Sequence, residues 1–322
     1  MRIHFILYSC LFQLVIISSA CKESPSYTDY IIPERDLVPE GVAVDERTGI
    51  VYVGSTYKRK IIQIDPLGSI TDFITEEAEG IWSPVGMEVD EARGILWVNT
   101  AHANEVMPLI NPDTARDWMT AICAFDIRDK KLIKKYTFEG EKACFNDLTV
   151  LPDGDVYATE TVNSRLYKID AGTDSLQLFL NLDTFQFANG ITYAEPYHAL
   201  YISCAQGILK INPDSVGFRL LPTEPDINAT DIDGLAFNKN MLIGHQSTKV
   251  SLFELNETGD EIVSSSILNA GDEFDSSTTG ELSGDAYYFI VNSQIRSAID
   301  PSTKAIKSPE LLHPVIIRKL KL

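Results

Sequence analysis

Short runs in which apolar and polar residues alternate recur along this chain with a period of about 45 residues. The copies read "PEGVAVDERTGIVYVGST", "PVGMEVDEARGILWVNTA", "FNDLTVLPDGDVYATETV", "ANGITYAEPYHALYISCA", "IDGLAFNKNMLIGHQS" and "TTGELSGDAYYFIVNSQ". Each holds an alternating run, a turn rich in Asp, Gly, Pro or Asn, and a second apolar and aromatic run. Most continue to a third strand ("KIIQID", "AICAFDI", "RLYKID", "GILKIN", "VSLFEL"), and several to a fourth, such as "SITDFIT" and "LIKKYTF". No stretch has the length and period of a substantial helix. Six copies of an antiparallel unit of three or four strands predict an all-β fold, a six-bladed β-propeller.

Spacings support one closed ring. Gly41 to Gly86 is 45 residues, Gly190 to Gly234 is 44 and Gly234 to Gly280 is 46. The step from Gly86 to Asp147 is 61, so the second blade carries an insertion, placed near Ala101–Met119. A ring must also hide its end strands. The N-terminal "TDYIIPE" resembles "TDFITEE", the fourth strand of the first blade, and "VIIRKLKL" at the C-terminus resembles a third strand. The N-terminal strand is therefore expected to complete the last blade, outside the C-terminal one.

The first twenty residues break the pattern. Arg2, a largely apolar run from Ile3 to Ile17, and Ser18, Ser19 and Ala20 before Cys21 read as a signal peptide over 1–20. "SSAC" also resembles a bacterial lipoprotein cleavage site with Cys21 as the lipidated residue, although Ser18 stands where Leu is usual; ordinary secretion is the alternative. The protein is expected to be exported, periplasmic or at the cell surface, touching a membrane only through that anchor. Residues 22–27 form a polar linker and 28–322 the propeller. A 44% hydrophobic share allows a sizeable core, and a net charge of −19 argues against a nucleic-acid partner. A monomer is expected. Of the cysteines left in the propeller, Cys123 and Cys144 are the nearest pair for a disulfide, with three buried thiols as the alternative.

Chemistry enters at the residue that starts each first strand: Glu40, Val85, Asn146, Asn189, Asp233 and Thr279. Equivalent places in the repeat lie at one end of the ring and converge on its axis. Asn and Asp before Gly are also turn formers, which would explain any one of them alone. Together Glu40, Asn146, Asn189 and Asp233 offer two carboxylates and two amide oxygens, hard donors that suit Ca2+, with another divalent cation as the alternative. Zinc and copper fit poorly where His and Cys are absent. Asp147, beside Asn146, is expected to orient these ligands or to reach water near the metal.

The set "PEG", "FNDL", "ANGI" and "IDGL" on a propeller period resembles the SMP-30/gluconolactonase group of calcium-dependent six-bladed propellers, related to the paraoxonases and diisopropylfluorophosphatase. The resemblance covers nearly all of the chain after residue 27. It implies a metal-dependent lactonase or esterase, with Asp233 as both ligand and base or nucleophile. The implied partner is a small molecule: a lactone, an ester or a sugar acid. Some relatives hold a second calcium through an aspartate where this chain has Ala236, so that site is not expected.

Ends of second strands share the face of the proposed metal. His102 and His245 are read there as catalytic candidates able to shuttle protons. Thr56, Glu160, Gln246 and Asn292 are read as substrate-facing. The blade-two insertion springs from this face as an expected lid, with Met107 and Trp118 as apolar contacts. The alternative to a hydrolase is a non-catalytic surface propeller that binds a ligand or protein and keeps calcium as a structural plug.

Overall fold

The computed structural model describes residues 26–103, 118–182 and 184–322. The expected signal peptide, Cys21, residues 22–25 of the linker, Met107 and insertion residues 104–117 lie outside the described residues.

Six four-stranded antiparallel sheets form the ring. Blade one is β2 (Pro39–Asp45), β3 (Ile50–Ser55), β4 (Lys60–Ile64) and β5 (Ile70–Ile74). Blade two is β6 (Ser83–Asp90), β7 (Ile95–His102), β8 (Met119–Asp126) and β9 (Lys131–Phe138). Blade three is β10 (Phe145–Val150), β11 (Val156–Glu160), β12 (Arg165–Asp170) and β13 (Ser175–Asn181). Blade four is β14 (Ile191–Ala194), β15 (Ala199–Cys204), β16 (Gly207–Asn212) and β17 (Ser215–Leu220). Blade five is β18 (Leu235–Asn238), β19 (Met241–His245), β20 (Lys249–Leu255) and β21 (Ile262–Ala270). Blade six is β22 (Gly280–Ser283), β23 (Ala286–Ile290), β24 (Val315–Lys321) and, outermost, the N-terminal β1 (Tyr27–Ile32).

The closure read from the sequence is the one observed. Strand β1 pairs antiparallel with β24, from Tyr27 opposite Leu320 to Ile32 opposite Val315. Strand β1 begins one residue inside the segment expected to be linker. Arg318, itself buried, grips Asp29 of β1 through two bonds of 2.8 Å each and reaches Glu273 of blade five at 2.9 Å. A bidentate guanidinium–carboxylate pair is among the stronger polar contacts, and this one joins the two ends of the chain.

Alternation along the strands serves two cores, because a blade is covered on both faces. In β2 and β3, Val42, Val44, Val51 and Val53 pack toward blade six, whereas Ala43 and Tyr52 pack toward blade two. The same division gives one apolar cluster between each pair of neighbouring blades. Inner strands therefore read as nearly continuous apolar runs, while the outermost strands β13 and β17 are mostly exposed. Cys123 lies in the cluster between blades one and two, and Cys144 packs with Val85 and Ala101 elsewhere. The disulfide read as one option does not form: Cys123, Cys144 and Cys204 are free thiols.

Candidate functional site

Starts of the six inner strands touch one another around the axis, and glycine is what allows it. A Cβ on Gly41 would sit 1.9 Å from the Val85 carbonyl oxygen of the next blade, and one on Gly86 2.6 Å from that of Asn146. At Gly190 it would meet the Asp233 carbonyl at 2.4 Å, and at Gly234 the Thr278 carbonyl at 2.6 Å. None of these glycines has the positive φ that would otherwise explain it; the reason is close approach of backbones. Hydrogen bonds follow the same path. Gly190 N–H donates to Asp233 O and Gly234 N–H to Thr278 O, both at 2.7 Å. Thr278 and Thr279 hydroxyls each donate to Glu40 O at 2.9 Å, which closes the circuit. Blade three has Asp147 in place of the glycine; it accepts from Ile191 N–H (3.1 Å) of blade four and from Leu148 N–H (3.0 Å).

Glu40, Asn146, Asn189 and Asp233 thus stand on one contiguous ring. Asn189 Nδ2 donates to Asp233 Oδ1 at 3.0 Å, and Asn146 Nδ2 donates to Thr161 Oγ1 at 3.0 Å. Those tethers leave both amide oxygens without a donor among the described residues. Glu40 is buried, and its Oε2 has no hydrogen-bond partner. Burial, and then the Asp233 and Asp147 charges, hold Glu40 well above the usual carboxylate range; Arg296 opposes them. Burial pushes Asp233 up to about 6 and Asp147 to about 7. Crowded buried carboxylates, an orphaned oxygen and two tethered amides are the donor chemistry a hard divalent cation neutralises. Among the described residues no group of three or more His, Cys, Asp and Glu is placed to hold a metal; here the set has two carboxylates and the rest are amides.

Beneath the ring, the inner strands enclose a cavity of about 190 Å³ that holds Asp147, Glu88 and Glu281. Glu88 accepts from Val150 N–H at 3.0 Å, and burial raises Glu281 to about 8. These two glutamates were not read from the sequence. They sit on the first strands β6 and β22, beyond the repeated strand start that holds Glu40, Asn146, Asn189 and Asp233.

The second-strand residues need correction. His245 is fully buried with Nδ1 2.8 Å from Ser277 Oγ and Nε2 2.7 Å from the Tyr287 hydroxyl. Burial lowers its pKa to about 3, so it is a neutral histidine of the blade-five to blade-six interface and does not face a substrate. Glu160, also fully buried, accepts from the N–H groups of Cys144, Val162 and Asn163 and holds its own turn. Thr56 donates to Val38 O at 2.9 Å. Gln246 spans Thr230 O and Ser251 Oγ, and Asn292 clamps Pro314 O and Ile316 N–H. All four are buried, with these polar atoms engaged within the protein. His102 is fully buried at the end of β7, where its carbonyl receives Trp118 N–H at 2.6 Å.

A feature the sequence reading passed over lies on the same face. Residues 291–314 connect β23 to β24, and Ile295 there packs against Val85, Ala101 and Ala103 of blade two. The blade-six loop thus reaches across to the mouth of the channel, carrying the exposed Arg296. Phe187, two residues before Asn189, is likewise exposed, with a left-handed φ of 64° that is uncommon for an aromatic residue.

No family model matches the chain, and no curated protein sequence does. Its fold has many solved counterparts. A gluconolactonase of Xanthomonas campestris is 14% identical over 89% of this chain and 87% of its own, with a TM-score of 0.62. The chain shares its propeller fold with that protein. The same fold serves other roles: a major allergen of Malassezia sympodialis is 13% identical over 91% of this chain and 96% of its own (TM-score 0.68). A virginiamycin B lyase of Staphylococcus aureus is 14% identical over 92% and 99% (TM-score 0.57). At such identities the likeness carries the architecture, and the chemistry has to be argued from the ring.

Titration of these groups should shape stability. Asp233, Asp147 and Glu281 are held at about 6, 7 and 8, above their unfolded values of 3.8, 3.8 and 4.5. The folded chain keeps protons that the unfolded chain gives up, so their contribution is full below about pH 4 and is lost as pH rises through 6 to 8. His245 works in the opposite sense. Its folded value of about 3 lies below the unfolded 6.5, so stability is lost as pH falls through 6.5 toward 3. In chelator, the melting temperature measured calorimetrically from pH 4 to 9 should be highest near pH 4 and fall as pH rises, because three raised carboxylates outweigh one lowered histidine between pH 4 and 6.5. Saturating calcium should flatten that fall, and a steady rise to pH 9 would contradict these assignments.

Proposed function

We propose that the chain is a calcium-dependent hydrolase of the SMP-30/gluconolactonase type that opens a lactone or ester at the ring of Glu40, Asn146, Asn189 and Asp233. The observation that carries this reading is the buried, unpartnered Glu40 Oε2 on one ring with the Asp233 carboxylate and two tethered amides. When bound there, calcium would supply Lewis-acid polarisation of a carbonyl and favour the charge that develops on its oxygen. Asn189 holds Asp233 by Oδ1, which leaves Oδ2 to take a proton from water or to attack a carbonyl carbon. Asp147, fixed by two backbone N–H groups, keeps blades three and four in register beside it. We also propose that the chain is exported and held at a membrane surface by lipid on Cys21.

Lactones and aryl esters, offered with and without a chelator, test this reading. Turnover that disappears on chelation and returns with calcium is the expected result. Burial of His245 with both nitrogens engaged favours a second reading, because it removes one proton-shuttling group from the face. Under it the propeller binds a sugar acid or protein loop without catalysis. Calcium would then raise the melting temperature while no substrate turned over.

A further inference from the structure

We propose that Arg296 is the receptor for a carboxylate carried by the molecule that binds over the channel mouth; the proposal rests on reading that mouth as the ligand site. Its first support is placement. Ile295 packs against the cluster of Val85, Ala101 and Ala103, which includes the blade-two ring position, and against the cluster of Val38, Ala298 and Leu312. Those contacts hold the loop that carries the next residue, rooted in blade six, against the blade-two side of the ring. The loop is fastened at its base, because Gln294 both donates to His313 O and accepts from His313 N–H, each at 2.9 Å. Within it, Ala298 N–H donates to Gln294 O and Lys307 N–H to Ala298 O, both at 2.8 Å. Arg296 is thus presented on a closed turn.

The second support is what its guanidinium does not do. Arg47, Arg59, Arg93, Arg165, Arg219 and Arg318 pair with carboxylates and Arg35 donates to Leu312 O, whereas Arg128, on the outer turn between β8 and β9, and Arg296 have no such partner among the described residues. Arg296 is exposed and makes no side-chain hydrogen bond or ion pair among the described residues, in a chain with 46 acidic side chains. Its charge still reaches Glu40 and Asp233, favouring the ionised form of each without a bond to either. The planar fork remains free for an incoming anion. A monoanion suits it better than a phosphate dianion, since Glu40, Asp233 and Asp147 would repel the second charge.

Binding and turnover together test the assignment. Calorimetry in calcium buffer would compare D-gluconate with its uncharged counterpart glucitol, on the wild-type chain and on Arg296→Met and Arg296→Lys. Kinetics would compare 4-nitrophenyl butyrate with mono-(4-nitrophenyl) glutarate, which carries a free carboxylate. Wild-type protein should bind gluconate at least about tenfold more tightly than glucitol, the scale of one charge-assisted pair. In Arg296→Met that ratio should collapse toward one, and Arg296→Lys should keep part of it. The glutarate ester should lose its advantage through KM rather than kcat. Wild-type indifference to charge, no binding of gluconate, or a preference that survives Arg296→Met overturns the proposal. If no ester or lactone is hydrolysed but Arg296-dependent binding of gluconate remains, the hydrolase reading falls and the receptor stands. If esters turn over regardless of charge, the hydrolase stands and the receptor falls.

Discussion

Asp233→Asn should reduce lactone or ester turnover by about a thousandfold or more, the usual scale for removing a positioned base, and should weaken calcium binding as well. The substitution keeps size and shape. Backbone bonds at this position, Asp233 N–H to His245 O and Gly190 N–H to Asp233 O, do not depend on the side chain. An amide oxygen can still accept from Asn189 Nδ2. What disappears is one of the two ring carboxylates, and with it a charge that cation affinity depends on. Stability should separate these effects from misfolding. Asp233 charge is one of the causes that hold Glu40 high, so removing it relieves repulsion in the cation-free protein. The melting temperature in chelator should therefore stay level or rise, while the gain on adding calcium shrinks. Undiminished turnover would take Asp233 out of the mechanism. A lost calcium response with normal turnover would detach the cation from the chemistry.

The ring was legible in the sequence, and the reason is geometric. A repeat fixes height along the axis, so residues at one place in the period share one end of the channel. That logic found Glu40, Asn146, Asn189 and Asp233, and the likeness of "TDYIIPE" to "TDFITEE" found the closure. Height alone does not give direction. Each sheet stands radially, so side chains of a second strand point toward the neighbouring blades rather than toward the axis. His245, Glu160, Gln246 and Asn292 lie at the right end of their blades for this reason, yet they spend their polar atoms on interfaces and turns. Arg296 shows the opposite limit. Its loop follows a second strand, as the blade-two insertion does, so register gives its end of the ring, but only tertiary packing of Ile295 shows that it turns toward blade two.

Gly190→Ala should damage both fold and site, because the glycine stands where two blades meet at the ring. An added methyl would lie 2.4 Å from Asp233 O, 2.5 Å from Leu235 N and 2.7 Å from Gly234 C, all backbone atoms with no rotamer to yield. Inner strands of blades four and five would have to part. The 2.7 Å bond from Gly190 N–H to Asp233 O and the Asn189 to Asp233 contact would stretch together. Overpacking of this kind costs about 1–3 kcal/mol, and the strained hydrogen bond adds to it, so a fall in melting temperature of about 5 °C or more is expected. Gly217→Ala is the control. It lies on the exposed outer strand β17, and its nearest neighbours would be Ser215 atoms at 3.8 and 3.9 Å, so its melting temperature should hold or rise slightly. Calcium affinity separates a local from a general effect. If the ring holds the cation, Gly190→Ala loses affinity even at temperatures where it is fully folded, because Asn189 and Asp233 no longer meet. Were the variant to melt and bind calcium like wild type, the inner ring would be looser than these contacts make it, and the four ligands would have no shared frame.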